Sequence, residues 1–213
     1  LLSQIKVLQV KKLDSESIKR KTTLTNIRTV DVKSVVKRDT PLKYDEKNGY
    51  LGTQVPGGVE VLKITPFDRI LYVRKSGIYS ITEAPSKIFV GPEMRYCNFA
   101  DKDTLSKILF TVIYRDPETQ YVYVKRCKVG GYIMNRDYFF APDGMEVLHV
   151  DSRKNFTFTL NYVKKPRVKV LSEKFKAQDY LEKGLKAQGT RVVAKEVQSI
   201  EVQEEKSEKT SEK

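Results

Sequence analysis

Tryptophan is missing from these 213 residues, histidine occurs once, and cysteine occurs twice. Each scarcity removes a class of function. Cys97 and Cys127 lie outside any Cys-x-x-Cys or Cys/His cluster, so no zinc site is spelled out. Two thiols in a chain this long fit a reducing compartment rather than a disulfide framework. His149 sits within an apolar run with no nucleophile motif beside it, and reads as a packed or edge histidine rather than a general base. There is no Walker motif and no carboxylate cluster placed like a magnesium site. Gly57-Gly58 and Gly130-Gly131 are turn punctuation outside any phosphate-binding fingerprint. No apolar run approaches the roughly 18 residues of a membrane-spanning helix, and no signal peptide is visible. The sequence opens Leu1-Leu2-Ser3 without a Met and reads as a piece of something longer.

Basic residues are plentiful. Lys and Arg number 40 against 27 Asp and Glu, a net charge of +13 with an isoelectric point near 9.5. Such a balance points to a polyanionic partner, nucleic acid first and an anionic membrane surface second. The acid is unevenly placed: residues 196–213 hold six Glu and three Lys, which leaves +16 on the rest. The length suits one domain with tails, or two small domains. Twelve Tyr and nine Phe supply aromatic bulk suited to sheets.

Residues 1–38 are Lys-rich and lack Gly and Pro, and are expected to be a linker from a preceding domain. Leu1, Leu2, Ile5, Leu8 and Leu13 roughly keep a helical period, while Ile5 to Val7 also fits a strand. From residue 40 the pattern becomes short apolar and aromatic runs split by turn residues. Leu42-Lys43-Tyr44, Asn48-Gly49 and Tyr50-Leu51 form the first expected hairpin. Ile70–Val73 with Ile78–Ile81 form the second, Ile108–Tyr114 with Tyr121–Val124 the third, and Val147–Val150 with Phe156–Leu160 the fourth. The last three recur about every 36 to 41 residues, a period that suggests a propeller-like array of blades. Pro166–Val170 fits a further strand, Ala177–Lys183 one or two helical turns, and Gly184–Val193 a loop entering a strand. Residues 39–200 are thus expected to be one all-β domain, and residues 201–213 a disordered charged tail.

The basic residues gather at hairpin turns and outer strands. The candidate phosphate contacts are Arg74, Lys75, Arg115, Lys125, Arg126, Lys128, Arg153, Lys154, Lys164, Lys165, Arg167, Lys169, Lys186 and Arg191, with Arg136 and Lys183 in the same clusters. No recognition helix or base-reading set accompanies them, so backbone-led binding and bending of double-stranded DNA, with weak sequence preference, is expected from a ring of such charge. Charge reversal at Lys125 and Arg126 together is expected to weaken binding more than two reversals within residues 1–20. Two other readings stay open: a propeller-like scaffold for an acidic protein, and an RNA-binding β domain.

Several stretches carry a resemblance. Lys43-Tyr44 through Asn48-Gly49-Tyr50-Leu51, then Phe67 through Tyr79, present an acidic residue, an apolar strand, a Lys/Gly turn and a Tyr-bearing strand. Ile113-Tyr114-Arg115 through Tyr123-Val124-Lys125-Arg126 repeats the order, and Gly184–Val192 adds a glycine-and-basic stretch. In these the chain resembles the C-terminal domain of the bacterial type IIA topoisomerase A subunit, of topoisomerase IV and DNA gyrase. The resemblance implies an all-β, propeller-like β-pinwheel of about four blades that exchange strands. It implies a non-catalytic domain, since the family's catalytic Tyr lies further N-terminal, and one that holds duplex DNA to guide strand passage. ATP and magnesium would belong to other parts of the parent enzyme, no cofactor to this fragment. The topoisomerase B subunit would be a partner through the parent complex, in the cytoplasm at the nucleoid. The basic Gln/Gly box of gyrase is not recognisable here, since Gln54 to Gly58 carries no basic residue, which favours the topoisomerase IV side.

Overall fold

The computed structural model describes residues 36–166 and 169–203. The expected linker over 1–38 (all but its last three residues), most of the expected tail and Arg167 lie outside the described residues. Within them the regular secondary structure is almost entirely antiparallel sheet.

Four blades follow one another. The first is built on β1 (Thr40–Asp45), β2 (Tyr50–Gly52) and β3 (Val59–Ile64). The second has β4 (Arg69–Arg74), β5 (Ile78–Glu83) and β7 (Met94–Phe99), with a two-residue strand β6 (Ile88–Phe89) in the β5–β7 connection. A short helix, α1 (Lys102–Lys107), capped by the Asp101 carboxylate on the Thr104 amide, leads to the third. That blade has β8 (Phe110–Arg115), β9 (Val122–Cys127) and β11 (Glu146–Asp151), with β10 (Tyr138–Phe139) between the last two. The fourth has β12 (Thr157–Tyr162), β13 (Ser172–Lys176) and β15 (Val197–Gln203), with β14 (Thr190–Arg191) between.

Each interposed strand leaves its own blade. β6 pairs with β2 of the first blade, β10 with β5 of the second, and β14 with β9 of the third. The sheet orders are therefore β3-β1-β2-β6, β7-β4-β5-β10, β11-β8-β9-β14 and β13-β12-β15. This is the β-pinwheel expected, with four blades and strand exchange between neighbours.

Why the blades stack is written in the strand alternation, since successive side chains point to opposite faces. In β8, Phe110, Val112 and Tyr114 face the second blade, and Ile113 faces the fourth. In β4, Leu71 and Val73 face the third blade, and Ile70 and Tyr72 face the first. The middle blades are thus apolar on both faces. The fourth is not. Phe158 and Leu160 point inward with Phe175, Ile200 and Val202. The register places Ser172, Lys174 and Lys176, Thr157, Thr159 and Asn161, and Ser199, Glu201 and Gln203 together on its other face. All are polar, as a capping unit of a stacked array requires. Among the described residues, buried clusters join blades one to two, two to three and three to four, and none joins four to one.

Two expectations need correction. Val147–Val150 and Phe156–Leu160 do not form a hairpin. The first belongs to β11, which pairs with β8; the second belongs to β12, which starts the next blade. The fourth hairpin is β12–β13. No strand is assigned within the described part of 166–170; the chain forms its strand at 172–176. Ala177–Asp179 forms one 3-10 turn, and the Gly184–Val193 loop does enter a strand, β14.

Exchange demands close backbone approach. A Cβ on Gly52 would lie 2.2 Å from the Ser86 carbonyl oxygen in the segment that delivers β6, whereas a Cβ on Gly130 would meet nothing. Gly52→Ala is expected to destabilise by about 1–3 kcal/mol through forced backbone displacement, and Gly130→Ala by less than about 0.5 kcal/mol. Urea unfolding midpoints of the two variants check this.

Candidate nucleic-acid interface

The candidate interface starts at two turns of the same design. After β1, the Asp45 carboxylate accepts from the amides of Lys47 and Asn48 at 3.0 and 3.2 Å, and Gly49 takes a φ of 70°. After β8, Asp116 accepts from the Glu118 amide at 2.9 Å, and Gln120 takes a φ of 57°. The next residue is a tyrosine in both, Tyr50 and Tyr121. Onto each ring the exchanged strand sets a cation. Lys87 Nζ lies 4.4 Å from the centroid of Tyr50, and Arg191 Cζ lies 5.4 Å from that of Tyr121.

The two positions are equivalent by register. Ile88 pairs with Leu51, and the Val192 amide donates to the Val122 carbonyl. Lys87 and Arg191 each precede those residues, so each reaches diagonally to a tyrosine on the neighbouring strand. Both are exposed, and neither has a carboxylate partner among the described residues. The second blade differs: Ile78 replaces the tyrosine, and Asp137 replaces the cation and pairs with Arg74 at 3.3 Å. Arg136 instead stacks over Tyr138 at 5.7 Å.

The expected contact residues separate into three sets. Arg74, Lys75, Arg115, Lys128, Arg153 and Lys165 are paired with Asp137, Glu93, Glu146, Glu182, Asp151 and Glu196 at 2.5–3.3 Å. Lys154, Lys164, Lys169, Lys186 and Arg191 are exposed without a carboxylate partner among the described residues. Lys125 and Arg126 are structural. Lys125 is 2% exposed, and its ammonium donates to the carbonyls of Phe140, at 2.8 Å, and Leu185. Burial lowers its pKa from the ordinary lysine value. The Arg126 guanidinium donates to the carbonyls of Gln178, Tyr180 and Lys154. Lys125 is therefore no surface contact, because its charged end ties together two segments that deliver exchanged strands.

Lys87 and the two tyrosines, which the structure brings together, are not among the residues singled out from the sequence. A signal was present: Asp45 through Gly49-Tyr50 and Asp116 through Gln120-Tyr121 share one turn spacing, and Lys87 heads an apolar pair as Arg191 does.

Residues 41–205 match the family Topoisomerase C-terminal domain, Bacteroidota. The chain belongs to this family. It is also 24% identical over 132 residues to the A subunit of DNA topoisomerase 4 from Borreliella burgdorferi, a stretch that covers 62% of this chain. The chain spans about a fifth of that relative's length, 21%.

In this topoisomerase C-terminal domain Cys97, Cys127 and His149 are each set by their surroundings. Burial pushes the Cys97 thiol up to about 12 and Cys127 up to about 11, so neither is a thiolate near neutrality. His149 Nε2 lies 3.3 Å from Asp151 and its ring lies edge-on to Phe156. Among the described residues no group of three His, Cys, Asp or Glu is placed to hold a metal ion. No described helix is long and apolar enough to cross a membrane.

The buried charges can be tested by substitution. Lys125→Glu would set a carboxylate against two carbonyls and should cost on the order of 3 kcal/mol or more. Lys154→Glu at an exposed site should cost less than about 0.5 kcal/mol; thermal melts compare them. At Asp151, burial alone would raise the carboxyl pKa. Hydrogen bonds from His149 and Arg153 outweigh it and hold the group well below the usual carboxylate range. A depressed folded-state pKa gives stability that is complete above the unfolded value of about 3.9 and fades as pH falls below it. Asp151→Asn should therefore lose about 1–3 kcal/mol at pH 7, a deficit that shrinks in urea titrations run below pH 4.

Proposed function

We propose that this domain holds duplex DNA by its phosphate backbone, without catalysing, as part of a type II topoisomerase A subunit, and so guides strand passage. The observation that carries the reading is the cation laid on a tyrosine at matching places in the first and third blades. The ring fixes the side chain and leaves its charge uncancelled. Cation–π contacts at exposed sites are worth roughly 0.5–1 kcal/mol, enough to order a side chain. Lys154, Lys164, Lys169 and Lys186 add charge to a chain of +13. Each neutralised phosphate releases counterions, so many such contacts sum to affinity with a steep salt dependence.

The parent protein is then an ATP-dependent DNA topoisomerase acting with a B subunit in the cytoplasm, and this segment its DNA-binding part. Residues 39–200 form the gripping domain, residues 1–38 a linker and residues 201–213 a charged tail, whose first three residues complete β15 of the fourth blade. The family match and the name of the relative support this reading.

Binding to short and long duplexes across a salt series tests it. The wild type should bind the longer duplex more tightly. Lys87→Ala with Arg191→Ala should make the slope of log affinity against log salt shallower by about 2. Lys102→Ala with Lys107→Ala removes the same charge from α1 and should change the slope less. Equal losses in the two pairs would refute a localised interface. Preference for structured RNA, or no binding to either nucleic acid, would favour an RNA-binding or acidic-protein-binding domain.

A further inference from the structure

The fourth blade has a strand place that the other three fill. In each of those, the hairpin's second strand receives a strand delivered by the next blade. Where that strand begins, the Gly49 carbonyl accepts from the Val90 amide, the Gly77 carbonyl from the Phe140 amide, and the Val122 carbonyl from the Val192 amide. The corresponding strand of the fourth blade is β13. Its one sheet partner among the described residues is β12, and its other edge receives no strand there.

The register fixes which backbone groups of β13 are left over. The Tyr162 amide donates to the Leu171 carbonyl, and the Ala177 amide donates to the Phe156 carbonyl. Backbone direction alternates along an antiparallel strand. Glu173 and Phe175 therefore also turn toward β12, and the N–H and C=O groups of Ser172, Lys174 and Lys176 turn away from it. None of these has a backbone partner among the described residues. The side chains of the same three residues lie on the polar outer face. Lys174 and Lys176 are exposed, and neither has a carboxylate partner among the described residues. Phe175, between them, turns inward and is partly buried, stacked on Phe158 at 5.7 Å.

We infer that the free edge of β13 takes up an extended segment of another protein, one that carries two carboxylates separated by an apolar residue. An unpaired strand edge is a template for a further strand. Backbone hydrogen bonds then supply affinity, and alternate side chains supply selectivity. An antiparallel segment laid on this edge sets alternate side chains opposite Lys174 and Lys176, where carboxylates are attracted and cations repelled. The side chain between those two points inward beside Phe175, where an apolar group is favoured. Lysines on an edge usually keep strands from pairing there; here the same charges exclude basic or neutral strands and admit an acidic one. This edge is separate from the cation–tyrosine pairs, and it can take a strand whether or not those pairs hold DNA.

The test uses the full chain, with the dye-labelled peptide Ser-Thr-Glu-Val-Glu-Thr-Ser as probe and Ser-Thr-Lys-Val-Lys-Thr-Ser as its counterpart. In anisotropy titrations the wild type should bind the Glu peptide about tenfold more tightly than the Lys peptide, and K174E/K176E should reverse that preference. Lys174→Pro removes an outward N–H, which an edge strand tolerates. It should melt as the wild type does yet lose the Glu peptide; if it fails to fold, the charge swap and amide exchange decide. Exchange at the Ser172, Lys174 and Lys176 amides should be fast in the free protein and slowed by the Glu peptide. Slow exchange there without peptide would mean that the edge is already covered, and would overturn the inference. So would full binding by Lys174→Pro, which would leave charge alone as the cause. No peptide binding, with duplex affinity lowered in K174E/K176E, would overturn it in favour of a further phosphate contact. No peptide binding and no such loss would overturn it in favour of lysines that only guard the edge.

Discussion

Neither middle blade of this domain can hide its own faces, and that constraint governs the rest. Strands β4 and β8 are apolar on both sides, so their sheets exist only between neighbours. Stacking then has to stop somewhere, and the polar outer face of the fourth blade stops it. Exchange of short strands fastens neighbours that packing alone would leave free to slide, since each exchanged strand adds directional hydrogen bonds to a non-directional apolar contact. Lys125 strengthens the fastening from within. Its ammonium lies in the contact between the second and third blades, and it donates to the chain just past β10 and just before β14.

The same exchange decides what the surface can do. At each candidate contact the tyrosine comes from one blade and the cation from the next. The site is therefore assembled only when both blades are folded and stacked. A ligand that binds such a site stabilises the whole array by mass action, because it has no affinity for the separated parts. Stacking of the blades and assembly of the candidate site are therefore one event.

Much of the fold is legible in the sequence because local chemistry and tertiary structure agree in the first three hairpins. Asn48-Gly49, Ser76-Gly77 and Asp116-Pro117 close turns between runs that alternate or stay apolar. The fourth hairpin misleads because Ser152-Arg153-Lys154-Asn155 looks like a turn between two strands. Asp151 holds Arg153 there, but the chain it shapes passes from one blade to the next. Turn chemistry reports a change of direction and says nothing about which sheet receives the following strand. The exchanged strands are two residues long, too short for any period to show. Lys125 reads as a surface charge because lysines usually are. Yet Val122 and Val124 fill one face of β9, and Tyr123, Lys125 and Cys127 share the other, which is also covered.

Charge counting alone misjudges the candidate surface for a related reason. Backbone carbonyls hold Lys125 and Arg126; nearer the surface two further kinds of support appear. Carboxylates hold Arg74, Lys75, Arg115, Lys128, Arg153 and Lys165, and in holding them they cancel the field a phosphate would feel. Tyrosine rings hold Lys87 and Arg191 through a quadrupole that carries no net charge. The first kind of support stabilises the protein and silences the cation toward a polyanion. The second orders the cation and leaves it to act. In a chain of +13 the number of basic residues sets the general attraction to a polyanion, but the support beneath each one decides which charges stay uncancelled.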